Sequence, residues 1–452
     1  LANKIIIMRP DKVNNGQEDL FKNRLTNQLN PKHELLLLSG MIPWEELESE
    51  FANLFTERAA LGRPAKPVRL IIGLLLFQHM HNLSDAEVVR SWVENPYWQY
   101  FCGYDFMQWS LPINPSSLTR WRKRLGPERL EKILSITVSV AVESGTIAKK
   151  DLETVILDTT VMPKNIAFPT EAKLLEKARS QMIKLAAEHD IDLRQNYNLV
   201  SKKLLRKIGG YFHANQYKRA KKAQKVFKTL VGRVMRDCAR KIEGKPELQE
   251  IFAQILQQTR HLLERKKSDK EKLYSLHELD VDCISKGKAQ KKYEFGCKVS
   301  LSITHKKGSS IITSAQALHG NPYDGHTLAS ALERSEKISK VAVKKAFVDR
   351  GYRGHGIIET TVFISGQKRG VTKHTARQIK RRQAIEPHIG HLKNKLKLGL
   401  CRLKGIVGDQ INAVLTCASY NLRMVLKHLR LLFAQILSLI FCSNNSNQIW
   451  AI

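Results

Sequence analysis

The sequence has little that would support a zinc ribbon, a disulfide framework or a thiol redox site. Its seven cysteines are scattered along 452 residues, and no two of them form a Cys-x-x-Cys pair, which argues against those classes. An odd, dispersed set of cysteines indicates reduced thiols in an intracellular protein. No run of Cys and His has the spacing of a zinc site.

We expect neither a membrane-spanning segment nor a secretory leader. Val68 to Met80 is strongly apolar but too short to span a bilayer, and Lys427, His428 and Arg430 interrupt the apolar tail from Leu422 to Cys442. The N-terminal stretch has no apolar region adequate for a signal peptide. We therefore expect a cytoplasmic protein whose tail forms a buried or partner-packing helix.

Acidic residues are scarce relative to basic ones. The chain has 75 Lys and Arg against 42 Asp and Glu, a formal net charge of +33. Such a charge attracts polyanions, and every phosphate that is neutralised releases counterions. Nucleic acid is the expected partner. With 42% apolar residues, the chain can also build a core, and its length suggests about three domains.

The first 150 residues have the pattern of helices. Ser84 and Glu87 have the spacing of a capping box after an apolar segment, which is typical of a helix-turn-helix. Asn114 followed by Pro115 predicts a second helix start. That helix, expected to end at Gly126, carries a set of cations that we predict to contact DNA: Arg120, Arg122, Lys123 and Arg124. The alternative is a solvated basic helix with Trp121 in the core.

A basic helical insertion is predicted from residue 173 to residue 275. Between Ser201 and Arg240 there are thirteen Lys or Arg and one acid, Asp237. Apolar residues recur at helical intervals in the same stretch. A surface with charge of one sign favours phosphate-backbone binding over an ordinary solvated helix face.

Strand patterns surround this insertion. Thr154 to Leu157 predicts a buried strand that ends at Asp158, and Ala342 to Val348 predicts one that ends at Asp349. Residues 293–304 and 310–317 predict a hairpin, residues 361–365 a short strand, and residues 375–398 a basic helix. The fold class is therefore α/β with a helical insertion.

The strand ends single out two acids. Asp158 and Asp349 are each placed where an apolar strand leaves the sheet, and Glu386 is an isolated acid among many cations. A trio of carboxylates suits two-metal phosphodiester chemistry, with Mg²⁺ as the first choice and Mn²⁺ as an alternative. A surface ion pair would also explain Glu386. Asp280 and Asp282 are alternatives to Asp349, although neither ends a convincing strand.

At this point the sequence resembles a known family, the DDE transposases of bacterial insertion sequences, and within it the group typified by insertion sequence five. The resemblance runs from about Leu20 to Leu426. It is carried by Gly62-Arg63-Pro64 through Phe101-Cys102-Gly103, Leu157-Asp158-Thr159-Thr160, residues 168–175, Tyr293-Glu294-Phe295-Gly296-Cys297-Lys298-Val299, residues 320–327, Phe347-Val348-Asp349-Arg350-Gly351-Tyr352, and Arg382, Glu386 and Lys393 in the spacing Arg-x3-Glu-x6-Lys.

This resemblance implies an RNase H-like mixed-sheet core in which Asp158, Asp349 and Glu386 are catalytic and bind metal. Arg382 and Lys393 share a helix face with Glu386 if the helix is continuous, and would hold phosphates. Pro387 indicates a kink or a new helix start at that point. The family's Tyr before the Arg is replaced by Ile379, and the long insertion lies between the two Asp residues.

The implied domains are a helical DNA-binding domain at 1–150, core segments at 151–172 and 276–425, the basic insertion at 173–275, and an apolar tail at 426–452. The implied function is a nucleoid-associated bacterial transposase that acts on terminal inverted repeats and target DNA as a dimer or larger assembly. His326, in a Gly/Pro loop with Asp324, is a further active-site candidate. The alternatives are a catalytically inactive DNA-binding derivative and an RNA-binding protein.

Overall fold

The computed structural model describes residues 23–52, 65–266, 268–269, 271–285 and 292–446, with side chains up to residue 435. Gly62-Arg63-Pro64 and parts of the predicted terminal domains lie outside these ranges. The N-terminal helices are α1 (Leu25–Gln28), α2 (Glu34–Met41), α3 (Trp44–Glu50), α4 (Val68–Met80), α5 (Asp85–Glu94), α6 (Pro96–Phe101) and α7 (Pro115–Glu143). The sequence predicted this helical region.

The helix boundaries follow the predicted capping residues. Ser84 and Glu87 form a reciprocal capping box at the start of α5, and the Asn114 side chain accepts a hydrogen bond from the Ser116 N–H. Helix α7 is interrupted at Gly126, whose φ of 67° and ψ of 172° are open to glycine but strained for other residues. The segment that carries the predicted DNA contacts therefore ends where the sequence predicted.

The remaining elements alternate between strands and helices. The strands are β1 (Thr154–Pro163), β2 (Asp282–Ile284), β3 (Glu294–Thr304), β4 (Ile312–Leu318), β5 (Lys345–Val348) and β6 (Thr361–Ile364). The helices are α8 (Glu171–Glu188), α9 (Asn198–His213), α10 (Tyr217–Lys241), α11 (Pro246–Glu264), α12 (Asp324–Ser339), α13 (Lys373–Lys380), α14 (Ile385–Asn394) and α15 (Gly405–Ser446).

The strands form one mixed sheet in the order β2-β3-β1-β5-β6, with β4 also paired to β3. The β3–β4 pair is the predicted hairpin and is antiparallel, whereas β1, β5 and β6 are parallel neighbours. Parallel sheets need cover on both faces. Ile156 and Phe347 face a large core shared with the N-terminal helices and α15, and Val155 and Leu157 face a smaller core under α12.

The chain divides into two compact units. One comprises residues 1–163 and 297–452, and the other comprises residues 164–296. The first unit contains the N-terminal helices together with most of the sheet around one hydrophobic core, so the predicted boundary at residue 150 does not separate two cores. The second unit contains the predicted insertion, with α8 to α11 packed around its own apolar cluster.

The C-terminal apolar segment lies within the 42-residue helix α15. Its described buried residues, among them Leu415 and Val425, belong to the large core. Up to Leu429, the predicted tail therefore forms a buried helix. Among the residues searched, no helix is both long and apolar enough to cross a bilayer.

Candidate active site

Asp158 lies within β1 rather than at its end. The prediction that the strand ends at Asp158 is wrong, because Thr159, Thr160, Val161 and Met162 are also buried and extend the strand to Pro163. The parallel pairing with β5 does stop here, since the last paired residues are Ile156 and Phe347. Continuing this register by two residues brings Asp158 level with Asp349, with both side chains on one face.

Asp349 follows β5 directly, as predicted. Its Oδ1 accepts a hydrogen bond of 2.7 Å from the Gly351 N–H and caps the short 3₁₀ helix Arg350–Tyr352. Asp158 is held in a comparable way, because its Oδ1 accepts a bond of 2.8 Å from the Thr159 N–H. In each case the other oxygen, Oδ2, faces the guanidinium of Arg382.

Glu386 is the second residue of α14. The helix starts anew after the 3₁₀ turn Arg381–Ala384, so Pro387 falls in its first turn, where a missing N–H leaves no helical bond unmade. This is one of the two outcomes that Pro387 predicted. The Glu386 side chain is 66% exposed, the most open of the three acids.

All three predicted acids surround the guanidinium of Arg382. Its Nη1 is 3.4 Å from Asp158 Oδ2 and 4.0 Å from Asp349 Oδ2, and its Nη2 is 3.8 Å from Glu386 Oε1. The two Asp oxygens are therefore at most 7.4 Å apart, the sum of the first two distances. Arg382 is only 7% exposed, so its guanidinium is buried among the acids.

A fourth acid, Asp324, reaches the same edge of the sheet from α12. Its Oδ1 accepts hydrogen bonds from Thr159 Oγ1 at 3.1 Å and Lys298 Nζ at 3.0 Å. A Cβ placed on Gly351 would lie 3.3 Å from Asp324 Oδ2 and 3.7 Å from Asp349 Oδ1. The sequence suggested only turn formation for Asp324, although its place beside His326 in a Gly/Pro loop was a usable signal.

Tyr352 lies beneath this group of acids. Burial, followed by the charges of Asp158, Asp324 and Asp349, raises the pKa of its phenol well above the ordinary value. The hydroxyl therefore stays protonated and can only act as a neutral group. It is buried without a hydrogen-bond partner among the described residues.

The other predicted site residues have different surroundings. His326 is exposed in the first turn of α12, with its ring 5.4 Å from the Tyr323 ring in an edge-on arrangement. Lys393 is half-buried in the last turn of α14 and lies two turns after Glu386.

The basic face of α7 is smaller than predicted. Arg122 is 4% exposed, and its guanidinium donates hydrogen bonds to Gln78 Oε1 at 2.8 Å and to Asp85. It joins α4, α5 and α7 in the interior, which corrects its prediction as a DNA contact. Arg120 and Lys123 are exposed and Arg124 is partly exposed, while Trp121 is buried.

The unit at 164–296 presents its cations to solvent. Of the thirteen Lys and Arg residues between Ser201 and Arg240, twelve are exposed and Lys228 is half-buried. Apolar residues such as Phe227 and Val231 lie on the opposite, buried side of α10. Basic residues also line an open cleft of about 500 Å³: Lys221, Lys225, Lys228, Arg265, Lys266 and Lys272.

The three acids around Arg382 have the chemistry of a divalent-cation site. Carboxylate oxygens are the ligands that Mg²⁺ and Mn²⁺ prefer. In the described structure one guanidinium provides the positive charge that holds these carboxylates together. Two divalent ions about 3.5–4 Å apart would fit acids spaced in this way.

In comparisons with known proteins, the chain matches two domain families and a bacterial protein. Residues 23–124 match a family described as "Transposase domain (DUF772)", and residues 359–426 match one described as "Transposase DDE domain". A Rhizobium meliloti protein described as "Uncharacterized protein ORF8 in nfe locus" is 44% identical over 210 residues, which are 46% of this chain and 100% of that protein. No solved structure matches. Glu386 lies within a matched range, whereas Asp158 and Asp349 lie outside both.

Proposed function

We propose that this chain is a DDE transposase that cuts and joins DNA at the terminal inverted repeats of an insertion sequence, because two parts of it match transposase domain families. The observation that carries the proposal is the convergence of Asp158, Asp349 and Glu386 on Arg382. These residues come from a strand, a strand end and a helix that are far apart in the sequence.

We propose Mg²⁺ as the cofactor, with Mn²⁺ able to replace it. The family generally uses a divalent metal, and an all-oxygen set of ligands from three acids fits these hard cations. Asp158, Asp349 and Glu386 would hold such ions, and the bound ions would supply the positive charge needed to activate the attacking oxygen and stabilise the leaving oxygen of an in-line displacement. Hydrolysis at the element end and strand transfer to target DNA are the same displacement, so one site serves both.

The chain's own residues prepare this site. The Thr159 and Gly351 N–H groups each fix one oxygen of Asp158 and Asp349, which leaves the other oxygen of each acid directed at the shared centre. Arg382 offsets the repulsion among the acids. When divalent ions replace that role, its planar guanidinium suits a DNA phosphate beside the acids. Lys393, on the same helix as Glu386, would hold a neighbouring phosphate.

We propose an RNase H-like core of the kind found in the insertion-sequence-five group. What supports it is a mixed sheet with antiparallel strands on one side of β1 and parallel strands on the other. The metal-binding acids would then lie at the level where the parallel strands end.

Two basic surfaces would bind DNA. Arg120, Lys123 and Arg124 on α7 are available to a groove or to phosphates. The exposed cations of the unit 164–296 suit the DNA backbone, because Asp237 is the only acid on α10 itself. The expected active form is a dimer or larger assembly, since two element ends must be brought together.

The decisive experiment uses the full chain and a labelled duplex that carries the DNA flanking the coding frame. With Mg²⁺ we expect nicking at the element end, loss of nicking in Asp158→Asn, and wild-type nicking in Asp280→Asn. Asp280 is the matched control because it was the sequence's alternative ligand and is exposed in the unit 164–296.

The remaining outcomes separate the rival functions. Tight binding of this duplex without cleavage in Mg²⁺ or Mn²⁺ would identify a catalytically inactive DNA-binding protein. Stronger binding to single-stranded RNA than to the duplex, again without cleavage, would overturn the proposal in favour of RNA binding.

A further inference from the structure

A second group of metal-ligating side chains lies apart from the three acids. Ligand atoms of Cys297, His319 and Asp409 all lie within 4.8 Å of one another, and His319 Nε2 is 3.6 Å from Asp409 Oδ2. We propose that these three side chains form a site for Zn²⁺. The absence of a Cys and His cluster in the linear sequence did not exclude it, because the residues are brought together only by folding.

The fold places each ligand through an identified element. Cys297 lies on β3 and His319 directly follows β4, and the antiparallel register pairs Lys298 with Leu318. One further step along this register sets Cys297 opposite His319. Cross-strand neighbours of this kind have Cβ atoms about 4.5–5.5 Å apart, close enough to share one ion.

Asp409 is supplied by the first turns of α15, which are anchored on β4. The next residue, Gln410, accepts a hydrogen bond of 2.7 Å from the Ala317 N–H and donates one of 3.0 Å to the Ala315 carbonyl. These bonds fix the height and rotation of α15 over the strand. The carboxylate of Asp409 is thereby held beside His319.

The distances agree with tetrahedral zinc coordination. Ligands at about 2.0–2.3 Å from one ion, separated by a tetrahedral angle, lie about 3.3–3.8 Å apart. The 3.6 Å between His319 and Asp409 falls in this interval, and the Cys297 Sγ lies within 4.8 Å of the ligand atoms of both. The fourth position would be taken by water.

Charge and burial favour zinc over the hard cations. Cys297 is 1% exposed and Asp409 is 3% exposed. A thiolate, a carboxylate and a neutral imidazole together offset the two charges of Zn²⁺, so the loaded site is neutral, which lowers the cost of burying it. Thiolate and imidazole ligands select Zn²⁺ rather than Mg²⁺, the cation proposed for the other site.

Such an ion would tie the β3–β4 hairpin to α15. The hairpin and α15 come from different parts of the chain, and the side-chain hydrogen bonds of Gln410 join them beside the apolar packing of the large core. Metal binding stabilises a folded state whose ligands are not assembled in the unfolded chain. The expected role is therefore stability of this corner rather than chemistry on DNA.

The test uses the full chain purified without chelators. We expect about one zinc ion per chain by mass spectrometry of the metal, and a thiolate-to-metal absorption band after exchange with Co²⁺. Cys297→Ser should remove the band, and His319→Gln should weaken zinc binding at least about tenfold. Cys417→Ser, which alters a fully buried cysteine outside the group, should keep both signals.

The Co²⁺ band separates this site from the three acids. Carboxylates alone give no thiolate band, so Asp158→Asn should leave the band unchanged even where it abolishes DNA cleavage. A wild-type protein with no bound zinc and no thiolate band on addition of Co²⁺ would overturn the proposal. This readout is made on the wild-type chain, so it holds even if a ligand variant fails to fold.

Discussion

The three acids around Arg382 and the cationic surface of the unit 164–296 use charge in opposite ways. The first gathers a few carboxylates from distant segments to a single half-buried point. The second spreads many cations over exposed helix faces and around an open cleft. The first arrangement depends on position to within about an ångström, whereas the second depends on the sum of its charges.

This difference predicts how mutations should behave. Removing one member of a converging group should be nearly as damaging as removing all of it, because the members act together. Removing one cation from the spread surface should lower DNA affinity only slightly, and the losses from several such changes should add.

The largest effect is expected for Asp349→Asn. Loss of one negative ligand should reduce cleavage by about 10³-fold or more, because a weakened metal site would no longer stabilise the charge that develops in the transition state. Affinity for the duplex, measured by fluorescence anisotropy, should change less than about threefold. Asp282→Asn provides the matched control. A loss of affinity as large as the loss of cleavage would contradict the division of roles.

The next effect concerns the spread surface. Replacing Lys218, Lys221 and Lys225 with Gln should lower DNA affinity about 10- to 100-fold and reduce the salt slope of log K by about 2.7. Cleavage at saturating protein should be unchanged. The control is the same charge change at exposed lysines of the other unit, Lys149, Lys337 and Lys345. Equal losses in both triple variants would show that net charge, not this surface, governs binding.

Helix α7 carries a buried, ion-paired cation and an exposed cation within one turn, Arg122 and Lys123. Arg122→Ala should lower the free energy of unfolding by about 2–3 kcal/mol, because it strands the partly buried Asp85 and the amide of Gln78. Lys123→Ala, on the exposed side, should change it by less than about 0.5 kcal/mol. Thermal and urea unfolding of the two variants measure this. A stable Arg122→Ala protein with weakened DNA binding would restore Arg122 as a DNA contact.

The smallest effect is expected for the single change Lys225→Gln. One phosphate contact among many should alter affinity by less than about threefold near physiological salt, with a slope change of about 0.9. Lys337→Gln is the control, and the salt dependence of anisotropy is the measurement. A loss beyond tenfold would mean that Lys225 acts at a specific point, as the acids do.

The sequence predicted the elements of the core well, because local patterns specify them. The Ser84–Glu87 capping box, the helix start at Asn114 and the β3–β4 hairpin are all found in the structure. These features depend on hydrogen bonds and alternation within a few residues. The strand at Asp158 was predicted too short, since burial of Thr159 and Thr160 comes from neighbours that are distant in sequence.

The site was only partly predictable for the same reason. Asp158 and Asp349 follow from apolar runs, but their common level in the sheet follows from the β1–β5 register. Asp324 and the Cys297 group depend on contacts between elements that no local pattern records. Arg122 has the same local sequence signal as its exposed neighbours, and only the packing of α4 and α5 separates it from them.

The pairing around β1 has a consequence for how the chain is assembled. His305 at the end of β3 bonds Thr154 at the start of β1, so these neighbouring strands run in opposite directions. Two antiparallel neighbours need only a tight turn between them. The unit 164–296 occupies that connection, so in topological terms it is a hairpin loop enlarged to a domain. Because loop-closure entropy grows only logarithmically with length, such an enlargement costs the sheet little.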